Sequence, residues 1–193
     1  MTPPGRRAAH KQQTRAAIRA AALDLISRQG YQATTVAQIA EAADISHTTL
    51  FRYFESKEQV LIHDDLDDAR QEMLTRIPPG LPPFDLARQI VTGMFTIANA
   101  DPWSSNAERF RLLRSEPVLA MAYQLEADRV MQEGIDFIAD YTGTPADGLP
   151  LRVFIAALSA VMMHIANRAD SIDQTTLEDL LVAIDLLEQG LPL

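Results

Sequence analysis

The chain has 193 residues, no cysteine and a formal net charge of −9. The absence of cysteine excludes a disulfide framework and a thiolate zinc site. No apolar run approaches the ~20 residues that span a bilayer, and the opening MTPPGRRAAHKQQTR lacks the apolar middle of a signal peptide. A soluble, cytoplasmic protein with no membrane partner is therefore expected.

Residues 1–13, polar and carrying Pro3, Pro4, Gly5, Arg6, Arg7 and Lys11, read as a flexible basic arm. From about Thr14 the apolar spacing turns helical, with Ala17, Ile18, Ala21, Ala22, Leu25 and Ile26 on one face. Gly30 ends that helix. Thr34 or Thr35 can cap a second helix, whose buried face is Val36, Ile39, Ala40 and Ala43. Asp44 lies in a short turn, and Ser46 can cap a third helix with Leu50, Phe51 and Phe54 facing inward.

Ser56 can cap a fourth helix, expected to run through Val60, Leu61 and Leu66 to about Ile77. The proline-rich stretch Pro78–Pro83 must stop it, because proline lacks the amide and clashes in a helix interior. Asp64, Asp65, Asp67 and Asp68 then form a solvated acidic face, since a helix does not let them converge on a cation. Further helices are expected near 84–100, 105–115, 117–141, 151–169 and 175–189. No period-2 strand stands out. The fold class is all-α with about nine helices. It divides into a helix-turn-helix unit at 14–60 and a larger helical bundle at 61–193.

Charge is unevenly distributed. Residues 1–60 carry eight basic and five acidic side chains, while 61–193 carry nine basic and 21 acidic. A polyanion is drawn to the first part and repelled by the second. Two helices with a tight turn between them form a helix-turn-helix when the second exposes its N-terminal end. Here that end presents His47 and Thr48, with Arg52 one turn on. Imidazole and hydroxyl groups both donate and accept, and a threonine methyl can meet a thymine methyl.

The run Thr35-Val36, Ile39-Ala40, Ala43-Asp44-Ile45-Ser46, Thr49-Leu50-Phe51-Arg52-Tyr53-Phe54 and Ser56-Lys57-Glu58 closely resembles the DNA-binding region of TetR-family transcriptional regulators. The resemblance covers about residues 14–61. It implies a homodimer on a palindromic double-stranded DNA operator, acting as a repressor released by a small molecule. Position by position, it places Ser46, His47, Thr48 and Phe51 at or near bases, and Thr35, Thr49, Tyr53 and Lys57 at phosphates. Asp44 departs from the glycine usual at that turn, and puts a negative charge near the DNA.

For the larger part the resemblance implies an effector pocket. Candidate lining residues are Met94, Phe95, Trp103, Phe110, Met121, Tyr123, Phe137, Met162 and Met163, because methionines and aromatics suit an adaptable apolar cavity. Arg111, Arg114 and Gln124 supply polar groups. The stretch Asn106–Ala120 is similar to family members associated with acyl-CoA-like ligands, whose phosphates would suit Arg111 or Arg114. The segment Val153–Ala166 is interrupted only by Ser159 and His164. With the stripe Leu177, Leu180, Leu181, Ile184, Leu187 and Leu191, it either closes the monomer's core or builds a two-fold subunit interface through the last two helices. No cofactor motif is present. The alternatives to a regulator are a helical small-molecule binder without operator binding, and a cavity-based enzyme.

Overall fold

The computed structural model describes residues 5–168 and 173–192. Among these residues there are ten helices and no strand: α1 Arg6–Gln29, α2 Val36–Ala42, α3 His47–Tyr53, α4 Lys57–Ile62, α5 Asp67–Thr75, α6 Pro83–Ala100, α7 Ala107–Ser115, α8 Pro117–Thr142, α9 Leu149–Arg168 and α10 Gln174–Glu188. The class is all-α, as expected.

Two boundaries differ from expectation for local reasons. The backbone from Arg6 to Gln13, expected to be an arm, is part of α1. Arginine, alanine, lysine and glutamine are strong helix formers, and no breaker follows Gly5. Residues 1–4 and the side chains of Arg6 and Arg7 lie outside the described residues. The fourth helix does not run to Ile77. It stops at Ile62, and a new helix starts at Asp67. The acidic run causes the break: the Asp64 carboxylate accepts the Leu66 N–H at 3.1 Å, and Asp65 sits at φ +62°.

Those acidic residues are not a uniformly solvated face either. Arg70 grips Asp64 with both terminal nitrogens, at 3.0 and 2.9 Å, and reaches Asp67 at 2.8 Å. Burial alone would push the Asp64 carboxyl up. The hydrogen bonds and charge of Arg70, the Leu66 amide and the charge of Arg109 outweigh it, and hold Asp64 below the usual carboxylate range.

The chain forms two compact units. One comprises residues up to His63 together with Arg111–Glu126; the other comprises Asp64–Phe110 and the chain from Ala127 onward. A division at residue 60 therefore misses the segment 111–126. In the first unit Ile18, Ala22 and Ile26 of α1 are buried together with Ile39, Ala40, Leu50, Phe54, Val60 and Leu61. In the second unit one core joins Ala87 and Val91 of α6 to Leu158 of α9 and to Leu177, Leu180 and Ile184 of α10. Another joins Leu86, Ile138, Ala139, Leu151 and Ile155. The proline-rich loop before α6 is tied down by Tyr141, whose hydroxyl accepts from the Leu81 N–H at 2.8 Å and donates to the Pro78 carbonyl.

The end of the chain differs in one residue. Leu191, expected on the last apolar stripe, lies beyond α10 at φ +56° and is 55 % exposed. The segment Leu149–Ala166 is long and apolar enough to cross a membrane by composition, with mean hydropathy 1.8, and only 11 % of it is buried. Its uncovered face bears Leu149 and Val153, and exposed Val182 and Leu186 lie on α10.

Candidate nucleic-acid interface

The turn between α2 and α3 is a complete helix terminus. The Asp44 N–H donates to Glu41 O at 3.1 Å and the Ile45 N–H to Ala40 O at 3.0 Å, the paired bonds of a Schellman motif. That motif requires a left-handed residue, and Asp44 fills it at φ +53°. A side chain there costs roughly 1–2 kcal/mol, less for aspartate than for most residues. Asp44→Gly is therefore expected to raise stability by about 0.5–1 kcal/mol after the entropic loss of glycine. Urea unfolding measures it, and a decrease in the midpoint would show that the aspartate contributes more than its conformational strain.

The two helices are capped at their starts. Thr35 caps α2, accepting the Gln38 N–H at 3.2 Å, and Gln38 Oε1 accepts the Thr35 N–H at 2.8 Å. Ser46 caps α3: its hydroxyl accepts the Thr49 N–H at 3.0 Å and lies 2.8 Å from the Thr49 hydroxyl. Ser46 and Thr49 thus hold each other at the first turn, with Thr49 half-buried.

Beneath α3, Leu50 is fully buried and Phe54 nearly so. Phe51, grouped with them by spacing, instead faces out at 44 % exposure. The His47 ring meets it edge-on at 4.8 Å. The short helix turns position 51 away from the core, toward the side of His47. His47, Thr48, Phe51 and Arg52 thus form one exposed surface, and the Arg52 guanidinium lies 5.6 Å from the half-buried Tyr53 ring.

The basic residues of this unit divide between surface and interior. Arg15 and Arg19 each place a guanidinium 5.5 Å from the Phe54 ring centroid. Arg19 is buried and donates to the His63 carbonyl at 2.6 Å. Lys57, at the start of α4, reaches the loop between α1 and α2. Its ammonium donates to Tyr31 O at 2.8 Å and Thr34 O at 2.9 Å, and lies 3.8 Å from the Tyr31 ring centroid. The Tyr31 hydroxyl donates to the neighbouring Glu58. Burial raises the Tyr31 phenol, and the Glu58 hydrogen bond and charge raise it further. Burial pushes Glu58 the other way from its net shift; the Tyr31 hydroxyl and backbone donors bring it below its ordinary value. Lys57 thus brackets the loop from which α2 starts. Charge counting along the sequence could not separate these interior cations from Lys11 and Arg52, which are exposed.

The twelve residues expected to meet an effector fall in both compact units. Phe95 and Met162 pack against the core of α6, α9 and α10, and Phe137 packs against the second core, 5.8 Å from Tyr141. Met94 and Met163 are half-buried. Trp103 and Phe110 lie 5.2 and 5.6 Å from the guanidinium of Arg109, which is 3 % exposed and which no sequence pattern marks out. Arg111, Arg114, Met121, Tyr123 and Gln124 are exposed, and belong to the segment that packs with the N-terminal unit. None of the twelve lines either of two open grooves in the second unit. One, about 790 Å³, runs between α5 and α6; the other, about 680 Å³, lies between α8 and α9.

Two family models match the chain. Residues 18–63 match the bacterial regulatory proteins of the tetR family, and residues 81–192 match the MftR C-terminal domain. This chain belongs to the TetR family. The HTH-type transcriptional regulator TcmR of Streptomyces glaucescens is 38 % identical over 94 residues, which is 48 % of this chain and 40 % of that protein. The chain thus spans about two fifths of that relative's length. The crystal structure of Thermus thermophilus FadR in complex with lauroyl-CoA superposes with a TM-score of 0.56 at 24 % identity, covering 93 % of this chain and 95 % of that one. FadR from Bacillus halodurans superposes with a TM-score of 0.59 at 18 % identity, covering 92 % and 96 %. The solved structures share the TetR fold.

Proposed function

We propose that this TetR-family protein is a ligand-responsive, DNA-binding transcriptional regulator, a repressor held on a palindromic operator and released by an apolar or amphipathic small molecule. The carrying observation is the exposed surface of His47, Thr48, Phe51 and Arg52 on a helix whose underside is locked by Leu50 and Phe54. His47 and Thr48 read base edges, with Ser46 and Phe51 beside them. Thr35, Thr49, Tyr53 and Lys57 hold phosphates. The protein acts in the cytoplasm as a homodimer through α9 and α10, which sets the two copies of α3 into successive major grooves about 34 Å apart. For the effector, an acyl-CoA is supported by the similarity of Asn106–Ala120 to regulators associated with such ligands, with Arg111 and Arg114 for the phosphates.

The test is selection of bound fragments from a random duplex pool at physiological salt. The expected product is a palindrome with half-sites one helical turn apart. His47→Ala and Thr48→Ala are then each expected to weaken binding to that site 10- to 100-fold, in line with the roughly 1–3 kcal/mol of discrimination that one well-read base supplies. Recovery of no sequence above background would instead favour a helical ligand-binding protein without an operator.

A further inference from the structure

We infer that the groove between α5 and α6 is a binding site for a cationic amphiphile, an alkyl chain bearing an ammonium or guanidinium head. This deepens the reading of an amphipathic effector but gives it a cationic head where the acyl-CoA reading gives an anionic one, and it rests on the regulatory reading only for the link to DNA.

The groove has an apolar floor and a charged rim. Met73 of α5, Ile77 and Leu81 of the connecting loop, Ile97 of α6 and Leu181 of α10 form the floor. Gly93 sets its depth: a Cβ there would stand 2.6 Å from the Met73 sulfur, so the thioether lies against the α6 backbone because no side chain intervenes. Along α6 the lining runs from Asp85 to Ile97, about 18 Å at 1.5 Å per residue, enough for a medium-length alkyl chain.

The rim decides the head group. Arg76, just past the end of α5, is engaged by Glu72 of that helix. Arg88 is engaged three times: by Asp85 at 2.8 Å, by Asp185 at 2.9 and 2.6 Å, and by Glu188. The hydrogen bonds it donates to Glu188 and Asp185 raise its pKa well above the usual arginine value. Three carboxylates thus share one guanidinium at the Asp85 end of the groove. The other rim pair is neutral, so the set carries two surplus negative charges. An anionic head finds Arg88 held by three carboxylates and Arg76 paired with Glu72, and meets that surplus. A cationic head completes the pairing while its chain covers Leu81, Ile77 and Met73.

The experiment is calorimetric titration of the full chain, without DNA. The probes are dodecyltrimethylammonium, dodecanoate and lauroyl-CoA, each below its micelle concentration. The ammonium probe is expected to saturate at one per chain and to bind at least ten-fold more tightly than either anion. Thr92→Trp, an exposed lining position on α6, is expected to weaken it at least ten-fold by filling the groove. Asp85→Asn combined with Glu188→Gln is expected to reduce the preference for the cation to under three-fold. Equal or tighter binding of dodecanoate or lauroyl-CoA, non-saturating uptake of the ammonium, or its unchanged binding to Thr92→Trp would each overturn the assignment. Operator binding is measured separately on the same preparations. A chain that holds its operator but shows no cation preference fails here alone, and a chain that binds the ammonium but no duplex fails the regulatory reading alone.

Discussion

Val153→Glu is expected to convert a dimer into a folded monomer and to abolish operator binding at concentrations where the unsubstituted protein is fully bound. Val153 is 58 % exposed on a helix that is mostly unburied yet apolar enough to cross a membrane, and Leu149 lies one turn before it at 70 %. Ala156 and Ala160 continue the exposed face with small side chains, which let a second helix approach closely. On α10, Val182 and Leu186 offer a second exposed apolar row. α9 and α10 pack on one another within the chain, so a two-fold pairing of these faces makes a four-helix bundle. Because such an interface is isologous, one substitution introduces two carboxylates into it. Desolvating each costs several kcal/mol without a partner. A shift of at least ~1,000-fold in the dimer dissociation constant is expected, since about 1.4 kcal/mol is tenfold. Analytical ultracentrifugation reads the mass and circular dichroism checks the fold. A dimer of unaltered affinity would remove α9 from the interface.

Legibility in the sequence followed the range of the interactions. The caps were readable because they are local. Thr35 and Ser46 each stand where a hydroxyl can reach the amide three residues on, and both do so in the structure. Gly30 and the Pro78–Pro83 stop were readable for the same reason. Asp44 stood out as a departure from glycine, yet the left-handed conformation is present with aspartate in it. Less legible were features that depend on partners far along the chain. Lys57 meets carbonyls 23 and 26 residues earlier, and Arg88 meets acids 97 and 100 residues later. No spacing rule connects such positions. Phe51 shows the limit of periodicity in a helix of seven residues: the spacing of Leu50, Phe51 and Phe54 allows one shared stripe, but Phe54 already lies in extended backbone beyond α3, and Phe51 turned outward. Methionines and aromatics suit a cavity by type alone. Type does not separate core from groove, and the groove's lining is largely charged or small, so nothing in the sequence pattern marks it.

Lys57→Met is expected to reduce both stability and operator affinity, and the pairing of the two effects is what the bracket predicts. The ammonium carries three donors. Two are committed to Tyr31 O and Thr34 O, which leaves the third and the charge for a phosphate. Methionine keeps the apolar stem over the Tyr31 ring but removes the donors. Hydrogen bonds to a charged group contribute about 1.5–3 kcal/mol each, and partial access of water to the half-buried site reduces that, so a loss of about 2 kcal/mol in unfolding free energy is expected. The loop from Tyr31 to Thr34 leads directly into the Thr35 cap of α2, so its loosening disturbs the seat of α3 as well. Operator affinity should fall at least tenfold, with the salt slope reduced by about one if the third donor neutralises a phosphate. Tyr31→Phe separates the contributions. It keeps the ring under the ammonium, removes the hydroxyl that donates to Glu58, and should lower stability by about 1 kcal/mol while leaving the salt slope unchanged. A Lys57→Met protein with undiminished unfolding free energy would show that the residue serves DNA alone. A protein destabilised as expected but with an unaltered salt slope would show the reverse: a lysine committed wholly to holding the reading head in position.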